Sequence, residues 1–252
     1  MQEVFMKRFA IAFLVLAMFA PAAARAAEGT IPLVSLGVRG GMGSYVMGDM
    51  NVAVNEVNDI LTDPRYRFDE LEKFGNGPSG GAELRVRILP YLALSVTADY
   101  LFESSKVGLE VVGEEFKEID VHASTVPVTV RVLYVVRNAT KPKLFYTMGA
   151  GVSYLTLGRL RTESAPIIDL DFPRVEYATA DGDGIGMQIL GGAEYFVRPW
   201  LSVGGELLYR YARISELTYT NNGPPVLMND GGKLSVDFSG FNVSACFRAH
   251  LF

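Results

Sequence analysis

Charged residues at every second position of apolar segments are the first candidates for chemistry in this chain. Residues 80–100 read GGAELRVRILPYLALSVTADY, and residues 191–211 repeat the design as GGAEYFVRPWLSVGGELLYRY. Because an isolated buried charge is very costly, this spacing predicts that opposite charges pair on one shared face. Ten residues follow the pattern: Arg39, Glu83, Arg85, Arg87, Asp99, Arg131, Glu194, Glu206, Arg210 and Arg248, with Asp237 as a further candidate.

A second candidate is the pair His122 and Ser124, which are separated by one residue. A histidine can activate a serine hydroxyl for nucleophilic attack when an acid orients its ring. Glu118 and Asp120 are nearby acids, and the sequence does not choose between them. The alternative, which we favour, is an ordinary histidine near the end of a strand with no catalytic role.

Metal chemistry is not expected. The stretch Asp181-Gly182-Asp183-Gly184 has the carboxylate spacing of calcium loops, but no glutamate follows at the distance that an EF-hand needs. A plain turn is therefore predicted there. The chain has one cysteine and two histidines, which leaves no basis for a zinc site or an internal disulfide framework. No metal and no cofactor is predicted.

The same alternation identifies the elements that must carry these residues. Apolar and polar side chains alternate with period two, which is typical of β-strands that have one apolar and one polar face. Eight such segments can be followed along the chain: 34–43, 82–88, 92–100, 126–134, 144–154, 185–195, 201–211 and 241–251.

The connections between these segments are strongly unequal in length. Three are short (89–91, 137–142 and 198–200), four are long (46–79, 103–123, 158–183 and 215–232), and short and long alternate strictly. An even strand number, short turns at one end and long loops at the other are the pattern of an outer-membrane barrel. We therefore predict an all-β fold, an eight-stranded antiparallel transmembrane up-and-down β-barrel with long outer loops and short periplasmic turns.

Aromatic residues fit this orientation. Rings concentrate at the two levels where a membrane meets water, so two belts are expected. The alternative fold is an exported β-sandwich or a lipocalin-like barrel, which would bury the apolar face instead. The predicted inner belt contains Tyr91 and Trp200, which follow turn prolines, and the predicted outer belt contains Tyr100, Tyr154, Tyr209 and Tyr211.

The N-terminal residues predict export. Lys7 and Arg8 precede the apolar run 9–19, and the small residues at 22–26 offer a cleavage site, so 1–26 is predicted to be a signal peptide and 27–252 a single barrel domain. A membrane anchor is the alternative, but the run is shorter than the about 20 residues of a spanning helix. The remaining chain has 20 basic and 27 acidic residues, a net charge of −7, which argues against nucleic acid as a partner.

The lumen is the predicted destination of the charged face. An eight-stranded barrel is just wide enough to be filled by its own side chains. We therefore predict a salt-bridged plug rather than an open channel. Glu83 and Glu194 hold equivalent places in the two GGAE copies. The repeat is interpreted as a way to set inward carboxylates beside glycines, and the alternative is that GGAE recurs through hairpin composition alone.

The first long loop contains a predicted helix. Residues 49–61, DMNVAVNEVNDIL, have apolar residues at Met50, Val54, Val57 and Leu61 and a plausible N-cap at Asp49. Such a helix could cover the mouth of the barrel or lie on the lipid surface. Simple packing within the loop is the alternative that we favour.

The chain resembles the small outer-membrane barrels of the porin superfamily, the A-, X- and W-type outer membrane proteins. The resemblance rests on the Pro-aromatic-Leu turns at 90–92 and 199–201 and on the last strand, SGFNVSACFRAHLF, which ends on Phe252. It implies location in the outer membrane, assembly by machinery that recognises the terminal aromatic, and contact with outer-membrane lipid and lipopolysaccharide. The alternation assigns Leu251 rather than Phe252 to the lipid side, which departs from the usual pattern.

Three functions stay open. The first is a non-enzymatic, monomeric barrel whose loops serve envelope integrity, adhesion or partner binding, and the polar, acidic loops favour it. The second, implied by the W-type resemblance, is a narrow conduit for small, mainly apolar molecules. The third is a lipid A-modifying hydrolase, because lipid A deacylase barrels use a His-x-Ser pair on the outer rim that His122 and Ser124 resemble. Five apolar residues are predicted to point inward and would line a conduit: Leu133, Phe145, Leu190, Phe196 and Leu208.

Overall fold

A computed structural model describes residues 33–61, 72–109, 117–164, 178–220, 223–228 and 231–251. The predicted signal peptide and Phe252 lie outside the described residues. Within them the chain forms ten antiparallel strands and one helix, α1 (Gly48–Leu61). The strands are β1 (Val34–Tyr45), β2 (Asn76–Leu89), β3 (Leu92–Leu109), β4 (Lys117–Arg137), β5 (Leu144–Ser164), β6 (Ala178–Arg198), β7 (Leu201–Ile214), β8 (Thr218–Tyr219), β9 (Val236–Asp237) and β10 (Gly240–Leu251).

Eight of these strands close into a ring. Each of β1 to β6 pairs with the next strand along the chain, β7 also pairs with β10, and β10 pairs with β1 over its whole length, from Val34↔Leu251 to Tyr45↔Gly240. The short strands β8 and β9 extend the sheet beside β6 and β7 at the loop end. The predicted eight-stranded antiparallel up-and-down barrel is therefore confirmed.

The short turns match the prediction, whereas two of the predicted long loops do not. Residues 90–91, 138–143 and 199–200 connect strands at one end of the ring. At the other end, β3 and β4 continue to pair up to Leu109↔Lys117, and β5 and β6 up to Thr162↔Ala178. The loops predicted for 103–123 and 158–183 were too long because sequence alternation weakens there while hydrogen bonding between neighbouring strands continues.

A β-bulge on β5 reverses which side chains face outward. Below it Tyr154 is exposed and Leu155 is buried, whereas above it Gly158 and Leu160 are buried and Arg159 is exposed. The register between β5 and β6 shifts between Leu155 and Gly158. An extra residue in one strand exchanges the inward and outward side chains of all residues that follow it. This single bulge therefore reverses the side-chain directions in the upper part of β5.

The outer surface of the barrel is apolar and the interior is polar. Outward side chains such as Val152 and Ile185 are 67% and 74% exposed, while Arg131, inside, is fully buried. This is the reverse of a water-soluble barrel, so the alternative of an exported soluble fold is excluded. Aromatic rings form the two expected belts, with Tyr91, Tyr134 and Trp200 at the turn end and Tyr100, Tyr154, Tyr209, Tyr211 and Phe241 at the loop end.

Apolar side chains in the interior form two clusters. One lines the wall made by β4 to β7 and contains Leu133, Phe145, Leu190 and Leu208, with Phe196 packed against it. We call it the apolar wall cluster, and it includes all five residues that the sequence predicted to point inward. The second cluster closes the loop end and is called the apolar cap. Its largest members are Tyr45, Met47, Met50, Val54, Phe74, Leu101, Leu155, Leu160, Ile214, Leu217, Leu234, Val236 and Phe238.

Helix α1 packs onto this cap, where the sequence predicted a helix. Met50 and Val54 are buried as expected from their spacing. The helix begins one residue earlier than predicted, so Asp49 lies inside its first turn rather than at the N-cap. Its carboxylate accepts a hydrogen bond from the Ser235 hydroxyl and lies 3.6 Å from Arg213. Among the described residues, no helix is both long and apolar enough to cross a membrane.

Replacing Val130 by arginine tests the outward face. Val130 lies in the middle of the outer surface, opposite Val96 and Val152 on the neighbouring strands. A charge near the bilayer midplane should lower the free energy of unfolding by about 2–4 kcal/mol, measured by denaturant titration in liposomes. Thr140→Arg in an exposed turn is the control and should change it by less than about 0.5 kcal/mol. Equal stability of the Val130 variant and wild type would contradict burial of this face in lipid.

Candidate functional site

The lumen below the apolar cap holds a network of buried charges, which lies beside the apolar wall cluster. In the described part of the barrel it joins five arginines to four carboxylates, all with side chains no more than 8% exposed. The strand pleat places them there, because inward positions recur every second residue on each strand. The network consists of Arg39, Arg85, Arg131, Arg210 and Arg248 with Glu83, Asp99, Glu194 and Glu206.

Asp99 on β3 binds arginines from two other strands. Arg39 donates through Nε to Asp99 Oδ1 at 2.7 Å and through a terminal nitrogen to Oδ2. Arg210 donates to Oδ2 at 2.9 Å, and Arg131 lies 4.0 Å from the same oxygen. The two parallel contacts with Arg39 form the bidentate geometry that is strongest between a guanidinium and a carboxylate.

Glu206 on β7 connects the two halves of the network. One of its oxygens accepts from Arg39 at 3.3 Å and lies 3.9 Å from Arg131. The other accepts from Arg248 and lies 3.8 Å from Arg85. A single carboxylate thus touches arginines from four strands, β1, β2, β4 and β10, and ties opposite walls of the barrel together.

The two GGAE glutamates meet on the same two arginines. Glu83 accepts from Arg248 Nε at 2.7 Å and from Arg85 at 3.3 Å. Glu194 accepts from Arg85 at 3.1 Å and from Arg248 at 3.3 Å. The repeated motif therefore delivers one carboxylate from each hairpin to one shared pair of guanidinium groups.

The second glycine of each GGAE copy makes room for another carboxylate. A Cβ on Gly81 would collide with the Asp99 carboxylate and the Ala98 carbonyl. A Cβ on Gly192 would lie 3.0 Å from Glu206 Cγ and 2.8 Å from the Gly205 carbonyl oxygen. This geometry supports the interpretation that the glycines accompany inward carboxylates in a crowded lumen, rather than recurring through composition alone.

Arg87 and Asp237 stand apart from the rest of the predicted set. Arg87 is half-buried at the turn end of the lumen and donates to the Pro90 carbonyl oxygen at 3.0 Å. Asp237 lies in β9 at the level of the apolar cap, and its carboxylate accepts from the Ser239 amide at 2.8 Å. It is outside the lumen because it lies opposite the outward Arg213 on β7, whereas Val236 lies opposite the buried Ile214.

His250 extends the network toward the turn end. Its Nδ1 lies 2.8 Å from Ser35 Oγ, and its Nε2 lies 2.7 Å from Ser202 Oγ and 3.1 Å from Glu194 Oε1. The Phe196 ring stacks on the imidazole at 4.5 Å. His250 was not predicted to be a lumen residue. It lies two positions after Arg248 on the last strand and therefore faces the same side, and this alternation could have predicted its place.

Little space is left between these side chains. A cavity of about 10 Å³ lies beside Arg39, Asp99 and Arg210, and another of about 10 Å³ lies beside Arg85, Glu194 and His250. Each has room for roughly one water molecule. Water at these positions would supply partners for Arg85 Nε and for Arg210 Nε and Nη1, which have none among the described residues.

His122 and Ser124 lie elsewhere, on the outward face near the loop end. Successive outward positions on a strand are about 7 Å apart. Ser124 is opposite Arg159 and His122 is opposite Arg161 on β5, and the Phe102 ring lies 5.4 Å from the imidazole. The side chains of Glu118 and Asp120, the acids proposed to orient the histidine, lie outside the described ones.

The predicted turn at 181–184 is wrong, because these residues belong to β6. Asp181 is opposite Arg159 and binds its Nε at 3.1 Å, and Asp183 accepts from the Tyr154 hydroxyl at 2.9 Å. Their glycines fit a strand here because Gly182 packs against Ile214 and Leu217. In the ranges that the structure describes, no group of three or more histidine, cysteine or acidic residues is placed to hold a metal ion.

The closed ring, the apolar outer face, the aromatic belts and the polar lumen together define a class. The protein is a small transmembrane β-barrel of the outer membrane. This agrees with the fold and location that the resemblance implied.

Comparisons with known proteins give distant structural likeness. No family model and no curated protein matches the chain. Neisserial surface protein A is 13% identical, with 86% of this chain and 97% of that chain covered and a TM-score of 0.44. The outer membrane protein OprG from Pseudomonas aeruginosa is 12% identical, with 86% and 96% covered and a TM-score of 0.45. These likenesses are distant, and the fold is defined by the hydrogen-bonded ring itself.

Replacing Glu206 by glutamine tests the network. The change removes one charge and leaves guanidinium groups from four strands without their shared partner. We expect the free energy of unfolding to fall by about 3–5 kcal/mol, the usual cost of breaking a buried ion pair on one side. Glu216→Gln is the matched control, because Glu216 pairs with Lys233 at 2.7 Å with both side chains about half exposed. The control should lose less than about 1 kcal/mol in the same denaturant titration. Equal losses would mean that Glu206 is as well hydrated as a surface group.

Proposed function

We propose that this protein is a non-enzymatic, monomeric outer-membrane barrel with a closed lumen, and that its work is done by its outer surface. Envelope structure, adhesion or loop-mediated binding are the roles that such a surface can serve. The observation that carries the proposal is the ion-pair network, which runs from β1 through β3 to β7 by the contacts of Asp99 with Arg39 and Arg210.

Two further features support a closed lumen. The apolar cap lies above the network, with Met47, Leu101 and Phe238 almost completely buried in it. The apolar wall cluster packs beside the network, where Leu208 lines the same small cavity as Asp99 and Arg210. A hydrated ion would have to displace apolar side chains of the cap and break the buried ion pairs below it, which costs far more than thermal energy.

Single-channel conductance of the refolded protein in a planar bilayer tests the proposal. We expect silence or rare picosiemens flicker from the wild type, because an ion crossing the lumen would have to break buried ion pairs. Glu83→Gln and Glu194→Gln should each raise the frequency of openings, because each leaves Arg85 and Arg248 short of a partner. Glu216→Gln, at the outer surface, should behave like the wild type. Steady, large conductance in the wild type would overturn the proposal.

A narrow conduit for small, mainly apolar molecules is the second candidate. The two apolar clusters of the interior favour it, because an apolar solute could bind at either of them. The charge network in the same part of the lumen opposes it, because an apolar solute gains nothing there and would have to separate ion pairs. Uptake of a small apolar dye into proteoliposomes, compared with protein-free liposomes, distinguishes the two candidates.

Lipid hydrolysis by His122 and Ser124 is the third candidate, and we do not favour it. The neighbours of both residues across the strand pair are arginines. This surrounding suggests binding of an anion at that place rather than proton abstraction from the serine.

A further inference from the structure

Four outward side chains at the loop end of β4 and β5 form a distinct surface, which we call the rim cluster: His122, Ser124, Arg159 and Arg161. They occupy two adjacent rows, with Ser124 opposite Arg159 and His122 opposite Arg161. Arg159 and Arg161 are exposed, whereas the two β4 side chains are half-buried. The cluster therefore presents two arginines whose Cα atoms are about 7 Å apart, next to a hydroxyl and an imidazole.

The β5 bulge is the reason that the arginines face outward. Tyr154 points to lipid, so uninterrupted alternation would turn Arg159 and Arg161 toward the lumen. The shift of register between Leu155 and Gly158 reverses this, and Gly158 and Leu160 face inward instead. Bulges that re-aim side chains are often functional features. Here the bulge places two cations on the face that otherwise carries apolar residues.

The height of the cluster identifies the environment that it meets. On β5, Tyr154 of the outer aromatic belt lies two outward positions below Arg159, with Thr156 between them. Phe102, stacked at 6.4 Å on the belt residue Tyr100, lies beside His122. Aromatic belts mark the level where the membrane meets water. The rim cluster therefore lies just beyond the outer belt, on the outward face of the barrel wall, where the headgroups of the outer leaflet begin.

We propose that the rim cluster binds the phosphate groups of a phosphorylated glycolipid in the outer leaflet. Guanidinium groups bind phosphate oxygens by paired hydrogen bonds, and two arginines at this separation can each hold one phosphate or share one. The Ser124 hydroxyl can donate a further hydrogen bond from the adjacent strand. This inference rests on the proposed placement of the barrel in the outer membrane but not on whether its lumen is closed.

Asp181 sets the strength of this site. It binds Arg159 through Nε at 3.1 Å, and 48% of the Arg159 side chain and 41% of the Asp181 side chain stay exposed. The carboxylate holds the guanidinium in place, but its charge opposes an incoming phosphate. Removal of that charge should therefore strengthen lipid binding, an effect that a purely structural role for the Arg159–Asp181 pair would not produce.

Binding of bis-phosphorylated lipid A to the whole, refolded protein in detergent tests the proposal, with dephosphorylated lipid A as the second probe. We expect the wild type to prefer the phosphorylated form. The double variant R159Q/R161Q should lose about tenfold or more of that affinity, since each arginine near an anionic lipid surface contributes about 1 kcal/mol. Asp181→Asn should bind a few-fold more tightly. Measurement is by native mass spectrometry, after circular dichroism has shown that every variant is folded.

The matched control is R137Q/R198Q, which removes two exposed arginines at the turn end. It makes the same change in net charge far from the rim cluster and should bind lipid A like the wild type. Equal affinity of the wild type for both forms of lipid A would overturn the proposal, as would wild-type affinity in R159Q/R161Q. Displacement of lipid A by inorganic phosphate at equal concentration would show a site for free phosphate and overturn the assignment to lipid. Conductance of the wild type would overturn the closed lumen without affecting this result.

Discussion

The closure of the hydrogen-bonded ring is the constraint on which the rest of the structure depends. Inside a bilayer every backbone N–H and C=O must find its partner within the protein, so a sheet that crosses it cannot have a free edge. Pairing of β10 with β1 removes that edge here. Closure with eight strands also fixes the width of the lumen, which is then narrow enough for side chains from opposite walls to meet. Charged side chains on the inward face of each strand are removed from bulk water, so each of them must pair with an opposite charge in the lumen.

The stability of such a lumen depends on whether every buried charge has a partner rather than on the number of ion pairs. Buried ion pairs gain little over apolar packing once desolvation is counted, but a charge left without a partner is strongly destabilising. Glu206 illustrates this, because it faces arginines from four strands. The arrangement makes the barrel intolerant of single changes in the network and tolerant of many changes on its lipid face, provided that they stay apolar.

The side-chain alternation made the fold and most of the charge network predictable. The period of two shows which residues share a face of each strand. Because an eight-stranded membrane barrel turns its polar face to the lumen, Glu83 and Glu194 could be placed inside from the sequence. Their meeting on the same two arginines could not be predicted, because it depends on the stagger of hairpins that are far apart in the chain. His250 was overlooked since a single histidine carries no pattern of its own, although its strand position predicted the correct side.

The part that alternation could not predict is the loop end, and the reason is physical. Lipid no longer imposes an apolar outer face there, so strands continue without the pattern, as in β4 and β5. An extra residue in β5 then reverses the parity of everything that follows, and no sequence rule locates it before its partner strand is known. The same event that defeats the prediction also moves Arg159 and Arg161 from the lumen to the headgroup level. Two cations that would otherwise point into the apolar cap are thereby placed on the outward face, while Gly158 and Leu160 fill the cap in their place. The bulge therefore separates the charged and the apolar side chains of the upper part of β5 onto opposite faces.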